Sequence, residues 1–246
     1  MYYKVLLDGK SFHGGDFEWS LPENGKPGKW HSVKGDLKMC ERGFHLTDNP
    51  QKWWDRTAKC YEVEYKDALA PQDDKICVRK VRLVRELTED DLVRLQIFYS
   101  GTHKVTSGKA LAYDTSRVKA LGSSQVTAHD FSQVTALNSS RVEAYGFSRV
   151  TASGSSRVTA SGSSRVEAYG SSRVTAYGSS RVTAYGSSQV TAYNSSQVTA
   201  YNSSQVTACD SSTINSRFHS GTVELSGDAI HINRDTNPPT IRGNFQ

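Results

Sequence analysis

A valine recurs every eight residues without a slip, at Val118, Val126, Val134, Val142, Val150, Val158, Val166, Val174, Val182, Val190, Val198 and Val206, and Ile214 closes the series. Serine stands two residues before each of these positions, from Ser116 to Ser212. Alanine stands two residues after, from Ala120 to Ala208, and Ser216 replaces it in the last unit. The thirteen units share the consensus Ser-Arg/Gln-Val-Thr-Ala-Tyr-Gly-Ser. Self-similarity at a short fixed period is the mark of a solenoid, in which each unit buries its apolar side only against its neighbours.

Alternation with period two inside each unit reads as a strand. Ser, Val and Ala are small enough to stack inward. Arg or Gln and Thr, with Tyr after them, then point outward, and Gly, Asn or Asp followed by Ser supplies a corner. A helix is excluded, because eight is not a multiple of 3.6 residues and Gly-Ser recurs in every unit. Only 36% of the chain is hydrophobic, a level that also admits disorder. A disordered linker needs no valine column, so the repeat folds.

One strand and one corner cannot close a coil, so two units per coil are expected. The exceptions to the consensus agree. Phe131 and Phe147 replace serine sixteen residues apart, and Leu121 and Leu137 replace tyrosine at the same separation. The expected fold class is a β-solenoid of two eight-residue units per coil and about six coils, joined to a small N-terminal α+β domain. At an inter-strand spacing of ~4.8 Å the rod would be roughly 30 Å long. The less regular unit Lys109-Ala110-Leu111-Ala112 leads in. The domain boundaries read as 1–100, 101–216 and 217–246.

The Ser-x-Val-Thr-Ala core with Tyr-Gly beside it resembles the repeats of bacterial ice nucleation proteins. That resemblance implies sixteen-residue coils, and its arginine-bearing coils imply self-association. Ice binding in that family uses outward Thr-x-Thr pairs. Here Thr151, Thr159, Thr175 and Thr183 keep the second threonine, but Arg or Gln takes the first place. The flat threonine lattice is thereby lost, and an ice-binding rod is a lesser reading.

The outward ladder of Arg141, Arg149, Arg157, Arg165, Arg173 and Arg181, with Tyr169, Tyr177 and Tyr185, is the candidate binding surface. It can be a solubilising face, a face for a protein partner or a second copy, or a nucleic-acid face. Arg and Tyr are favoured interface anchors, and a protein partner, of a host or of the same chain, is the main expectation. A coil spacing of ~4.8 Å fits duplex phosphates badly, and Glu143 and Glu167 interrupt the positive field. A net charge of +5 does not by itself argue for nucleic acid.

Residues 1–100 hold all four Trp and no octads. Strands are expected at Tyr3–Leu7, Gly43–Leu46, Cys60–Tyr65 and Ile76–Val84, the last with a bulge near Arg79. Thr47-Asp48-Asn49-Pro50 offers a cap for a helix over Gln51–Lys59, and Thr88 caps a second helix running through Phe98. The run Gly43-Phe44-His45-Leu46-Thr47-Asp48-Asn49-Pro50, followed by a helix and Tyr61-Glu62-Val63, resembles an uncharacterised N-terminal domain of phage and prophage proteins. This implies a viral or mobile-element origin and a role in handling host proteins, with no known activity.

His13-Gly14, then Gly43–Thr47 and Tyr61, also resembles the layout of ADP-ribosyltransferases. The alternative it implies is a nucleotide-using head with His13, His45 and Tyr61 at its site and the solenoid as a targeting arm. The spacing is compressed, and Glu62 and Glu64 lie on the wrong strand for that family's glutamate. No catalytic residue, cofactor or metal is expected in the main reading. Cys40, Cys60, Cys77 and Cys209 form no Cys-x-x-Cys pair and read as isolated thiols. No signal peptide or membrane span is legible, and the cytoplasm of a bacterial host is the expected setting. After Ser216 two last strands, Thr222–Leu225 and Ala229–Ile232, would cap the solenoid's open edge, and Asn237-Pro238-Pro239 would end regular structure.

Overall fold

The computed structural model describes residues 1–11, 17–218 and 220–243. They divide into two compact units, Met1–Leu95 and a second unit from Gln96 onward.

In the second unit each octad forms one strand, of four residues as in Arg149–Ala152 and Arg157–Ala160, or of six in Gln197–Asn202 and Thr213–Phe218. The valines of these strands are at most 3% exposed, and their alanines and the serines before them are fully buried. From Lys109 to Thr213 strands pair in parallel at an offset of sixteen residues, so that Val150 faces Val166 and Val158 faces Val174. Alternate octads therefore enter different sheets, one of 10 strands and one of 9. Two octads make one coil, as the displaced phenylalanines and leucines require. The two sheets pack through their inward Ser, Val and Ala columns.

The solenoid runs over residues ~97–233 in about 8 turns, longer than the six coils counted from the octads. The ladder needs small inward side chains and paired backbone, and the consensus is only one way to supply them. At the entry Arg117 pairs with Thr102, one residue short of sixteen. At the exit Gln205 pairs with Thr222, one residue over. Each irregular coil is spliced at its corner, where chain length can change without shifting the strands.

The corners explain the Gly/Asn/Asp column. Gly146, Gly162 and Gly178 have φ of 64°, 71° and 66°, and Asp130, Asn194 and Asp210 in the same column have 57°, 56° and 55°. This left-handed conformation is open to Gly and tolerated by Asn and Asp. Where a side chain is present it reaches to the neighbouring coil: the Gly178 N–H donates to Asn194 Oδ1 at 3.3 Å, and the Asn194 N–H to Asp210 Oδ2 at 2.9 Å. Corner backbones also pair coil to coil, Ser179 N–H to Gly162 O at 2.8 Å. Several of the buried serine hydroxyls turn back on their own corner, as Ser188 does to Tyr185 O at 2.8 Å, while those of Ser124, Ser132, Ser140, Ser148 and Ser172 do not.

Strands Thr222–Leu225 and Ile230–Asn233 extend the two sheets. A last strand, Thr240–Gly243, pairs antiparallel with Ile230–Asn233 and covers that edge. Regular structure thus continues past Asn237–Pro239, where the sequence reading ended it, because the chain folds back onto an otherwise unpaired strand.

The first unit is β-rich. Strands β1 (Tyr3–Leu7), β2 (Lys10–Ser11), β3 (His31–Ser32), β4 (Phe44–Thr47), β5 (Lys59–Ala68) and β6 (Lys75–Glu86) form one antiparallel sheet in the order β2-β1-β4-β6-β3, with β5 pairing β1 and β6. Leu6, Trp19, Phe44, Leu46, Tyr61, Ile76 and Leu83 fill one core cluster. Val5, Ala58, Cys60 and Leu87 form another, with Trp53 and Trp54 against it.

Three local expectations are corrected. The Gln51–Lys59 helix is only a 3-10 turn, Pro50–Trp53. Trp54 turns extended, which lets Trp53 and Trp54 pack on the Val5 cluster and frees Lys59 to pair with Leu6. The bulge lies opposite Glu62/Val63, where the β5–β6 register shifts, rather than near Arg79. The second helix, α1, spans only Glu89–Arg94. Thr88 Oγ1 accepts the Asp91 N–H and the Asp91 carboxylate accepts the Thr88 N–H, so the expected cap is present. Gln96 then takes φ 57°, and Ile97–Phe98 join the solenoid ladder as a strand.

Candidate functional site

The arginine ladder divides between the two sheets. Arg149, Arg165 and Arg181 stack on one, with Arg117 and Gln133 before them and Gln197 after. Arg141, Arg157 and Arg173 stack on the other, between Gln125 and Gln189. All six of the expected arginines are exposed. Among the described residues none of these six has a carboxylate within ion-pair distance. Like charges repeated coil after coil are held in register by the backbone and remain uncompensated.

The two faces are chemically unequal. On the Arg149 face, Phe131 and Phe147 sit at the corner beside the ladder, 64% and 59% exposed. Their rings stack with centroids 5.5 Å apart and planes 8° from parallel. With Arg117, Arg149, Arg165 and Arg181 they line a shallow groove of about 650 Å³. Lys104 and Lys119 add charge on this sheet, and Glu167 is its one carboxylate among the outward strand positions from Thr102 to Thr213. Glu167 accepts a hydrogen bond from Tyr169 at 3.1 Å, which raises the phenol's pKa and holds the carboxylate toward the tyrosine corner. Glu143 belongs to the other sheet and accepts from Tyr145 at 3.3 Å.

The tyrosines flank the faces instead of crowning them. Tyr169, Tyr185 and Tyr201 stack along one corner, with ring centroids 5.0 Å apart. Tyr177 and Tyr193 stack along the other at 5.0 Å. The expected Arg and Tyr residues therefore form four separate columns. The Phe131–Phe147 pair was legible only as a register mark; its place beside the arginines depends on which corner precedes which sheet.

In the first unit β1 and β4 meet at a single bridge, Tyr3↔Thr47, and then diverge. A cavity of about 650 Å³ opens there, with Phe17, Trp19 and Phe44 among its walls and Lys4, His45 and Lys75 also lining it. The Lys4 side chain enters this gap, and Lys4 is only 8% exposed. Its Nζ donates to His45 O at 3.2 Å and lies 5.0 Å from the Trp19 ring centroid. Burial lowers its pKa to about 8. His45 Nε2 accepts the Cys40 N–H at 2.9 Å, so its proton sits on Nδ1. Burial first, then the charges of Lys4 and Lys75, push its pKa down.

Of the three residues named for a nucleotide-using head, His45 lines this cavity. Tyr61 lies outside its lining, in the core, with its hydroxyl 3.5 Å from Glu86. Burial and then the Glu86 charge raise its pKa to about 12. His13 falls outside the described residues. Lys4 was missed in the sequence, although it shares the inward phase of Leu6, the one signal that marked it. Cys60 is buried, with its thiol pushed up to about 12. Among the described residues no cluster of His, Cys, Asp and Glu could hold a metal ion. No helix among them is long and apolar enough to cross a membrane.

No curated protein and no solved structure matches the chain significantly. Residues 2–95 match a family described as a domain of unknown function (DUF7666).

Proposed function

We propose that the solenoid is a rigid binding surface for a protein partner, and that its Arg149 face makes the contact with an acidic patch. The observation that carries this reading is the uncompensated ladder Arg149, Arg165 and Arg181 beside the exposed Phe131–Phe147 stack. Arginines and aromatics held rigidly lose little side-chain entropy on binding and dominate interface energetics. A second copy presenting the same face would set cation against cation, so an acidic partner fits better than self-association through this surface. The phage setting implied by the head's resemblance would make the partner a bacterial host protein.

A single-stranded nucleic acid is the second reading, favoured by the aromatic stack beside the cations. The test is a pull-down from nuclease-treated bacterial lysate with three proteins. These are the wild type, the triple variant Arg149→Thr, Arg165→Thr, Arg181→Thr, and the matching variant Arg141→Thr, Arg157→Thr, Arg173→Thr. A stoichiometric protein partner should be captured by the wild type, lost with the first variant and kept with the second. Equal capture by all three would overturn the assignment. Binding that disappears with nuclease and is restored by added single-stranded DNA would favour the second reading.

A further inference from the structure

We propose that the cavity between β1 and β4 binds a small molecule that carries an anionic group on a flat aromatic body, with the anion seated on Lys4. An ammonium has three N–H donors. Lys4 spends one on His45 O, and among the described residues no carboxylate lies within ion-pair distance of it. A buried cation is costly unless paired, and the cation–π contact with Trp19 offsets only part of that cost. Lys75 reinforces the positive field. It lies over the Trp53 ring at 4.0 Å and has no ion pair with a described carboxylate. The acidic residue that does line the cavity, Glu41, is paired with Lys38 at 2.6 Å.

The walls select the rest of the ligand. Phe17, Trp19 and Phe44 pack edge-to-face, with centroids 5.1–5.5 Å apart. Phe17, 38% exposed, presents aromatic surface to the opening. The volume suits a ligand of nucleotide size, since small-molecule sites run to about 300–1,000 Å³. His45 lines the same cavity, with its Nε2 already taken by the Cys40 N–H. The lowered Lys4 pKa follows from this geometry: a bound anion would restore the ammonium's ordinary value. The proposal is independent of the solenoid face.

Phosphate and carboxylate share the required chemistry, and the full-length protein can be titrated with one probe of each kind. Adenosine 5′-monophosphate is compared with adenosine, and nicotinate with nicotinamide, by tryptophan fluorescence. At least one anion should bind saturably, about tenfold or more tighter than its uncharged counterpart, and Lys4→Met should abolish that difference. The Arg149, Arg165, Arg181→Thr variant should bind the same probe as the wild type does, which separates this site from the solenoid surface. A second measurement needs no variant. Acetylation of Lys4 at pH 8, read by mass spectrometry, should be suppressed by the bound anion. Saturable binding of neither anion, or Lys4 labelling unchanged by a bound probe, would overturn the proposal.

Discussion

Val150 and Gly154 show how much of one octad is fixed by position. Val150 is 2% exposed, and burying a valine contributes about 1.5 kcal/mol or more. Gly154 supplies φ of 72°, which valine cannot adopt without strain. Gly178 offers a test of the corner. A Cβ there would approach Gly162 O at 3.1 Å, yet the same column holds Asn194 and Asp210. Gly178→Val should destabilise the protein by about 2 kcal/mol, whereas Gly178→Asn should stay within about 0.5 kcal/mol of wild type. Urea unfolding of the two variants checks this, and equal losses would refute the conformational account. The Ser, Val and Ala columns were readable in the sequence because thirteen repetitions fix their phase. Lys4 was not, since a single lysine in a five-residue strand has the look of a solvated residue until the facing strand is known.

At the scale of elements, legibility followed the strength of periodicity. Strand β1 was read with its observed bounds, Tyr3–Leu7. The helix expected over Gln51–Lys59 became a 3-10 turn because Trp53 and Trp54 gain more from packing on the Val5 cluster than from continuing a helix. The two tail strands after Ser216 were legible, but the third was not: Thr240–Gly243 carries no alternation strong enough to mark it. Removing residues 235–246 strips the antiparallel partner from Ile230–Asn233 and leaves a β edge open. The truncated protein should associate with rising concentration in light scattering, while the full chain at equal concentration does not. A truncated protein with the same scattering profile as the full chain would show that Thr240–Gly243 has no protective role.

For the molecule as a whole, the consequence of two octads per coil is a solenoid with two unlike faces, made from units that are almost identical. Neighbouring arginines in sequence, Arg149 and Arg157, are sent to different sheets, while Arg149 and Arg165 become neighbours. Only this arrangement concentrates Arg149, Arg165 and Arg181 beside the phenylalanine stack and leaves the Arg157 face without one. The sequence implied the sixteen-residue coil from a few exceptions to its consensus. It could not say which face would gather the groove, because that depends on which corner adjoins which sheet. The first unit adds a chemically separate cavity, which no repeat announces.

The two-faced coil is tested most directly by engineered disulfides, with the products mapped by peptide mass spectrometry. In-register parallel neighbours have Cα atoms about 4.8 Å apart, within the roughly 4.4–6.8 Å that a disulfide spans. Arg149→Cys with Arg165→Cys should cross-link rapidly under mild oxidation, and Arg149→Cys with Arg157→Cys should not. Cross-linking of the second pair and not the first would contradict the two-octad coil, and with it the separation of the arginines into two faces.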